Sequence, residues 1–277
     1  MKLSEIRRIL EERQIRLTKS LGQNFLHDSN QISKILTEAK LTSSDRVLEI
    51  GPGLGALTEA LVKNVNHVLA IEKDKRLFDI LKNRFACVEN LELVHEDALD
   101  FLRGKPHDWH EWKVVSNLPY SVASPIIVEL VNSMFPPQLI IVTIQLEVAK
   151  RIFAKENTEQ YGILGLLIKF WFEPISLFKI PSSCFFPEPE VDSACIILKR
   201  RNKPILPQNM QSWFNQVIKQ AFAHRRKTIF SNLKCKWSAE IIADALTASG
   251  IDHISRAESI DLERFSRLSV ILYEKLK

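Results

Sequence analysis

The chain has 277 residues, 45% hydrophobic and 26% charged, with a formal net charge of +5 and a pI near 9.0. That length suits a full α/β domain plus a smaller appendage, and the composition excludes disordered, collagen-like and membrane-embedded classes. Apolar runs are too short to cross a bilayer. Met1 to Arg8 lack the apolar core of a secretion signal, so the expected location is cytoplasmic. Cys87, Cys184, Cys195 and Cys235 lie far apart without a C-x-x-C pair, which argues against a zinc site or a disulfide framework and for reduced packing residues.

In chain order, Leu3 to Ile15 has the helical spacing of Leu3, Ile6 and Leu10. Thr18 to Leu26 is polar, with an embedded glycine and two apolar anchors, Leu21 and Phe25, expected to staple onto the core. Asp28 or Ser29 then caps a helix to about Lys40. Arg46 to Ile50 predicts a strand ending in Gly51-Pro52-Gly53-Leu54-Gly55, and Ala56 to Val62 a helix. Strand, glycine turn and helix open a doubly wound sheet, where glycines let backbone approach a ligand. His67 to Ile71 is a second strand closing on Glu72, and Arg76 to Phe85 a helix. Leu91 to His95 is a third strand, followed by Glu96-Asp97-Ala98. Arg103 to Trp112, with His107, Trp109 and His110, is expected as a surface loop, since its spacing fits no metal-ligand pattern.

Lys113 to Ser116 makes a fourth strand that delivers Asn117-Leu118-Pro119-Tyr120 at its carboxyl end, and Leu139 to Leu146 a fifth. The four candidate ligand stretches all fall at strand carboxyl ends, where open α/β sheets bind ligands. Gln145 to Phe153 and Gly162 to Lys169 predict helices, and Pro174 to Phe178 and Ala194 to Lys199 late strands. Arg200 to Gln208, with Pro204 and Pro207, predicts a linker between a domain of residues 1–200 and a helical one of residues 201–277, with helices at Trp213 to His224, Ala239 to Ser249 and Leu262 to Leu276. Basic residues bunch at Arg7 to Lys19, Lys199 to Lys203 and Arg225 to Lys236, clusters that can track a phosphate backbone or simply be solvated.

Asn117 to Tyr120 combines an amide and backbone carbonyls, which can accept from an exocyclic NH2, with a ring that can stack on the base carrying it. By itself the tetrapeptide is also a common strand-to-turn arrangement. The glycine turn satisfies G-x-G-x-x-G/A through Gly51, Gly53 and Ala56, and Glu72 is a candidate ribose acid, so a nicotinamide dinucleotide is open on that evidence. Glu49, two places before the first glycine, tilts the reading to S-adenosylmethionine: an ammonium and sulfonium need acidic neighbours, whereas a pyrophosphate is repelled by one. Asp97 is either an acceptor for the adenine amine or a cap on the next helix.

These stretches resemble the KsgA/RsmA-type small-subunit ribosomal RNA adenine dimethyltransferases. The resemblance spans Ser20 to Leu26, Glu49 to Thr58, Glu72, Glu96 to Ala98, Asn117 to Tyr120, the F-x-P-x-P-x-V-D-S run from Phe185 to Ser193, Arg225 to Thr228 and Arg256 to Glu258. It implies a class I, Rossmann-like S-adenosylmethionine methyltransferase sheet with a small C-terminal helical domain. It implies a cofactor site of Asn24, Leu26, Gly51, Glu72, Asp97 and Asn117, with Asn117, Leu118, Pro119 and Tyr120 holding a flipped adenine between Tyr120 and Phe185. Arg225, Arg226 and Lys227 are expected phosphate contacts, with small-subunit rRNA and the immature 30S particle as partners, no metal and no membrane, and the protein a monomer. A related large-subunit rRNA methyltransferase and a non-catalytic assembly or transcription factor are the competing readings. Val191-Asp192-Ser193 and the Arg225 run favour the small-subunit enzyme, and the intact Asn117 and Glu49 stretches favour catalysis.

Overall fold

The computed structural model describes residues 1–17, 22–104 and 106–277. Leu21, and with it the Thr18 to Leu21 part of the N-terminal motif, lies outside those residues. The elements are α1 (Leu3–Glu12), β1 (Phe25–Leu26), α2 (Ser29–Ala39), β2 (Arg46–Ile50), α3 (Ala56–Leu61), β3 (His67–Glu72), α4 (Lys75–Arg84), β4 (Leu91–His95), α5 (Ala98–Arg103), β5 (Trp112–Asn117) and α6 (Ala123–Asn132). There follow β6 (Leu139–Gln145), α7 (Leu146–Phe153), α8 (Ile163–Lys169), β7 (Phe172–Ile180), β8 (Phe185–Phe186), β9 (Ser193–Arg200), α9 (Gln211–Ala221), α10 (Ile229–Leu233), α11 (Ala239–Ala248) and α12 (Leu262–Lys275).

Seven strands form one sheet in the order β4-β3-β2-β5-β6-β9-β7. The first five run parallel, as apolar strands joined by helices must, and β9 returns antiparallel to β6. The chain reverses its direction of travel across the sheet between β2 and β5, which opens a crevice beyond their carboxyl ends. The register shows where it opens. β2 and β5 pair only as far as Leu48 with Val114, and beyond that the Ser116 hydroxyl replaces the ladder, accepting from the Ile50 amide at 3.2 Å and donating to its carbonyl at 2.5 Å. On its other edge β5 stays paired with β6 through Asn117.

Aspartates cap α2, α4 and α5 through Asp28, Asp74 and Asp97. Helix α6, a stretch that sequence patterning leaves unassigned, buries Ile126, Ile127, Leu130 and Val131; Pro125 reads as a breaker but falls in the first turn, where its missing N–H costs nothing. Among its described residues the expected surface loop from Arg103 to Trp112 is mostly exposed and irregular between α5 and β5, but two of its aromatic rings are buried. Trp109 and Trp112 are 3% and 6% exposed, meet edge to face at 5.3 Å, and Arg46 lies over Trp112. Arg103 ends α5 and Trp112 begins β5, so the aromatic rings serve as core at the end of the sheet away from the crevice.

The chain divides into two compact units, 1–149 with 174–200, and 150–173 with 201–277. A division at residue 200 alone therefore misplaces residues 150–173. Tyr161, Leu166 and Phe170 are buried with Phe214, Phe265 and Leu268 of the tail helices. The Tyr161 hydroxyl donates to the Ile260 carbonyl at 2.8 Å and the Trp171 indole to Gln211 at 3.0 Å. Contacts so distant in sequence leave no local trace in the chain. No described helix is long and apolar enough to cross a membrane.

Candidate active site

The crevice is a cavity whose walls come from the ends of β2, β3, β4 and β5, from α1, and from Gly22 to Leu26. Of the residues expected around a cofactor, Asn24, Leu26, Gly51, Glu72, Asp97 and Asn117 all line it, together with Leu118 and Pro119. Tyr120 and Phe185 do not.

The turn after β2 is held by tight contacts. Gly51 and Gly53 have φ of +69° and +63°, a region in which a Cβ is strained. A Cβ on Gly51 would meet Pro119 at 3.0 Å, and one on Gly53 the Phe25 ring at 2.7 Å. The two segments that flank the cavity, Phe25 and the turn at Pro119, thus close directly on glycine backbone. Gly53→Ala is expected to lower stability by roughly 2–4 kcal/mol through strain plus overlap, measured by chemical denaturation. Gly250→Ala is the control, because it has φ +69° but open space around the added carbon, and it should pay only the conformational cost of about 1 kcal/mol.

Glu72 fastens the turn to β3. One carboxylate oxygen accepts from the Gly53 amide at 3.1 Å and the other from the Asp74 amide at 2.8 Å. It is 6% exposed, and burial pushes its carboxyl up to about 7 against those hydrogen bonds. Glu49, at the end of β2, is 1% exposed. Burial, reinforced by the charge of Glu72, raises it to about 8. Asp97 does two jobs: it caps α5 through the Leu99 amide at 2.8 Å and pairs with Lys73 at 2.6 Å, and this hydrogen-bonded pairing holds its carboxyl below the usual range.

The Asn117 side chain is oriented by a contact far away in sequence. Its amide nitrogen donates to the Asn24 carbonyl at 2.7 Å, and its amide oxygen is buried with no partner. A buried acceptor without a partner, on a residue that lines a cavity, is a place for a donor from a ligand. Leu118 donates its amide to the Thr143 carbonyl, and the Pro119 carbonyl accepts from Val122. Gln23 completes the N-terminal wall by donating to Asp74 at 2.9 Å.

Tyr120 stands beside this group, half-buried, its hydroxyl bonded to that of the fully buried Ser193. Burial pushes its phenol up to about 12. The V-D-S run therefore braces the tyrosine: Ser193 holds its hydroxyl, while Asp192 accepts from the Ser182 amide at 3.2 Å and pairs with Lys179 at 2.6 Å. Phe185 does not offer the second stacking face expected of it. It is 2% exposed, its ring meets Tyr120 edge-on at 6.4 Å and 70°, and β8 fixes it opposite Leu26, so the ring is core.

The lining suits a cationic ligand. Among the described lining residues, Glu49, Glu72, Glu96 and Asp97 stand against one basic side chain, Lys73, which is already paired with Asp97. A pyrophosphate would oppose the ionisation of the buried Glu49 and Glu72, whereas a sulfonium and an ammonium would favour their ionised forms and be stabilised by them. Among the described residues no group of His, Cys, Asp or Glu has the arrangement of a metal site.

In the second unit the expected phosphate contacts separate. The Arg225 guanidinium pairs with Glu258 at 3.0 Å and donates to the Glu159 carbonyl, which ties three segments of that unit together and removes it from the set of open charges. Arg226 and Lys227 are exposed on the turn before α10.

A family model described as ribosomal RNA adenine dimethylase matches residues 14–274. The ribosomal RNA small subunit methyltransferase A of Listeria monocytogenes serotype 4a is 41% identical over 270 residues, covering 94% of this chain and 92% of that protein. Among solved structures, the 23S rRNA methyltransferase ErmE has a TM-score of 0.68 at 28% identity, over 90% of this chain and 100% of its own. A dimethyladenosine transferase from Plasmodium falciparum shares the fold with a TM-score of 0.78 at 24% identity, over 91% and 98% of the two chains.

Proposed function

The chain belongs to the ribosomal RNA adenine dimethylase family, and from that membership we propose that it uses S-adenosylmethionine to methylate N6 of two adjacent adenosines in the 3′-terminal hairpin of small-subunit rRNA, on the immature 30S particle. The observation that carries the reading is the Asn117 amide oxygen, buried at the cavity wall without a partner and fixed there by the Asn24 carbonyl.

An adenine N6 is a poor nucleophile because its lone pair is delocalised into the ring. The Asn117 oxygen and the Leu118 carbonyl accept the two N6 hydrogens from different sides, which favours a pyramidal nitrogen. Pro119 is the weaker choice for the second acceptor, since its carbonyl already closes the turn with Val122. Bound in the crevice, S-adenosylmethionine supplies an electrophilic methyl carbon on a sulfonium. Glu72 is placed for the ribose hydroxyls and Asp97 for the adenine amine of that cofactor. The Tyr120 ring, immobilised by Ser193, offers the flipped base one stacking face. Orientation of this kind supplies on the order of 7–11 kcal/mol in favourable cases. The N6 proton leaves to solvent after transfer, so the chain needs no strong general base.

Labelled S-adenosylmethionine, incubated with the protein and either immature small subunits or naked large-subunit RNA, tests the assignment. Label in the small-subunit rRNA alone supports it, and label in the large-subunit RNA alone overturns it in favour of the ErmE-like reading. For the RNA contacts, replacing Arg226 and Lys227 with alanine is expected to flatten the dependence of log K on log salt by roughly one per charge. Arg225→Ala should instead lower the stability of the second unit. An unchanged slope in the Arg226/Lys227 variant would relegate both to a solvated surface.

A further inference from the structure

Glu49 is the least exposed carboxylate at the cavity, and binding of the base gives it no work. One of its oxygens, Oε2, is buried and makes no hydrogen bond of ordinary geometry, and the same holds for the hydroxyl of Thr58 on α3; Thr58 is near enough to favour the ionised form of Glu49 but does not outweigh burial. The charged group that acts on it is Glu72, at the end of the neighbouring strand β3, and that charge is of the same sign. β5, on the other side of β2, presents the neutral Ser116 hydroxyl, which is occupied with Ile50. No cation among the described residues balances the pair, because Lys73 is bound to Asp97. A buried carboxyl so placed keeps its proton until a positive charge arrives.

We propose that Glu49 is a specificity-determining residue that reads the charge of the cofactor, losing a proton to solvent when S-adenosylmethionine binds and favouring that ligand over the demethylated product. The inference rests on the cofactor assignment above. S-adenosylmethionine and S-adenosylhomocysteine present the same ribose, adenine, ammonium and carboxylate, and differ by one methyl group and one positive charge. Glu72 and Asp97, placed for the ribose and adenine, respond alike to both ligands. An ionised Glu49 stabilises the sulfonium and gains nothing from the thioether. After transfer the positive charge has left the sulfur and only the ammonium shared by both ligands remains, so the carboxylate loses the part of its stabilisation that the sulfonium supplied, and reprotonation removes the preference for the cofactor form. Proton uptake at Glu49 thereby assists product exchange between the successive methylations that a dimethylating enzyme performs.

The sign follows from burial. In the ligand-free site Glu49 ionises near pH 8, and a bound cation lowers that value. Cofactor affinity therefore rises with pH up to about 8, then levels, while product affinity follows only the groups that both ligands share.

Calorimetric titration of the full chain with each ligand, from pH 6.5 to 8.5 in buffers of different ionisation enthalpy, reads both the affinities and the protons released. The ratio of product Kd to cofactor Kd is expected to rise about three- to tenfold between pH 6.5 and 8, with more protons released by the cofactor than by the product. In Glu49→Gln the ratio should be flat and the extra proton release gone, while product Kd stays near that of the wild type and reports an intact site. Should that variant fail to bind product, the wild-type pH profile decides by itself. A flat wild-type ratio with equal proton release overturns the proposal and leaves the cofactor assignment standing, whereas failure of both ligands to bind overturns the assignment.

Discussion

Asn117→Ala is expected to slow methyl transfer by roughly 10²–10³-fold, the range typical for loss of one preorganised hydrogen-bonding group at a reacting centre, with cofactor Kd changed by no more than about threefold. The asymmetry comes from the geometry. The amide nitrogen is already committed to the Asn24 carbonyl, so the group the side chain offers a ligand is its oxygen, which in the proposed mechanism accepts from an N–H of the base. Most of the residues proposed to hold the cofactor, among them Gly51, Glu72 and Asp97, lie at the ends of β2, β3 and β4, which the substitution does not touch. Single-turnover transfer with immature small subunits, alongside calorimetry of the cofactor, separates the two effects. A variant that keeps more than about a tenth of the wild-type rate would remove the amide from the mechanism, and a large loss of cofactor affinity would show that Asn117 acts chiefly through the cofactor.

Glu72→Ala should be the most damaging single change to the cavity. It strips the acceptor from the amides of Gly53 and Asp74, and each buried donor left unsatisfied costs about 1–3 kcal/mol. The expected loss of stability is thus about 2–6 kcal/mol, read by urea denaturation. On the proposed role of Glu72 at the ribose, loss of its hydrogen bonds should weaken cofactor binding by roughly 10- to 100-fold. Glu72→Gln, which keeps one acceptor, should fall between.

The pH dependence carries a sign that tests the same group. With a folded-state pKa near 7 against an ordinary 4.5, Glu72 keeps its proton in the folded chain while the unfolded chain ionises. Its contribution to stability is therefore full below about pH 4.5 and is lost as pH rises through 7. The glutamine variant should flatten that part of the profile. An alanine variant as stable as the wild type would show that the turn after β2 does not depend on the carboxylate.

Much of the catalytic unit is legible in the chain because its signals are local. The β2 run with Gly51 and Gly53 requires positive φ and close approach at specific positions, so strand, turn and helix follow from adjacent residues. The parallel strands announce themselves as short apolar runs, and their carboxyl ends place Gly51, Glu72, Asp97 and Asn117 at one edge of the sheet. Asp97 carried two readings, and the structure shows the capping one directly; a cap leaves the residue at the cavity, so that reading and a cofactor contact are compatible. In the Arg103 to Trp112 segment the loop itself is legible, but the burial of its tryptophans is not. A polar, His-rich composition suggests a surface loop, while the tryptophans are buried by partners elsewhere in the chain, including Arg46.

By itself, then, the order of residues determined most of the element types, α6 excepted, the sheet edge at which the candidate site lies and the acids that surround it, since each depends on neighbours within a few positions. Only the tertiary structure decided which atoms of those residues are free to act. The Asn117 amide is aimed by the Asn24 carbonyl, Tyr120 is held by Ser193, Phe185 is consumed by packing and Arg225 by Glu258. Every one of these contacts joins residues more than 30 positions apart or depends on burial beneath distant segments. Hydrogen bonding and exclusion of water act through space, so a pattern along the chain can nominate a side chain for a role but cannot say which of its lone pairs, ring faces or charges remains unspent.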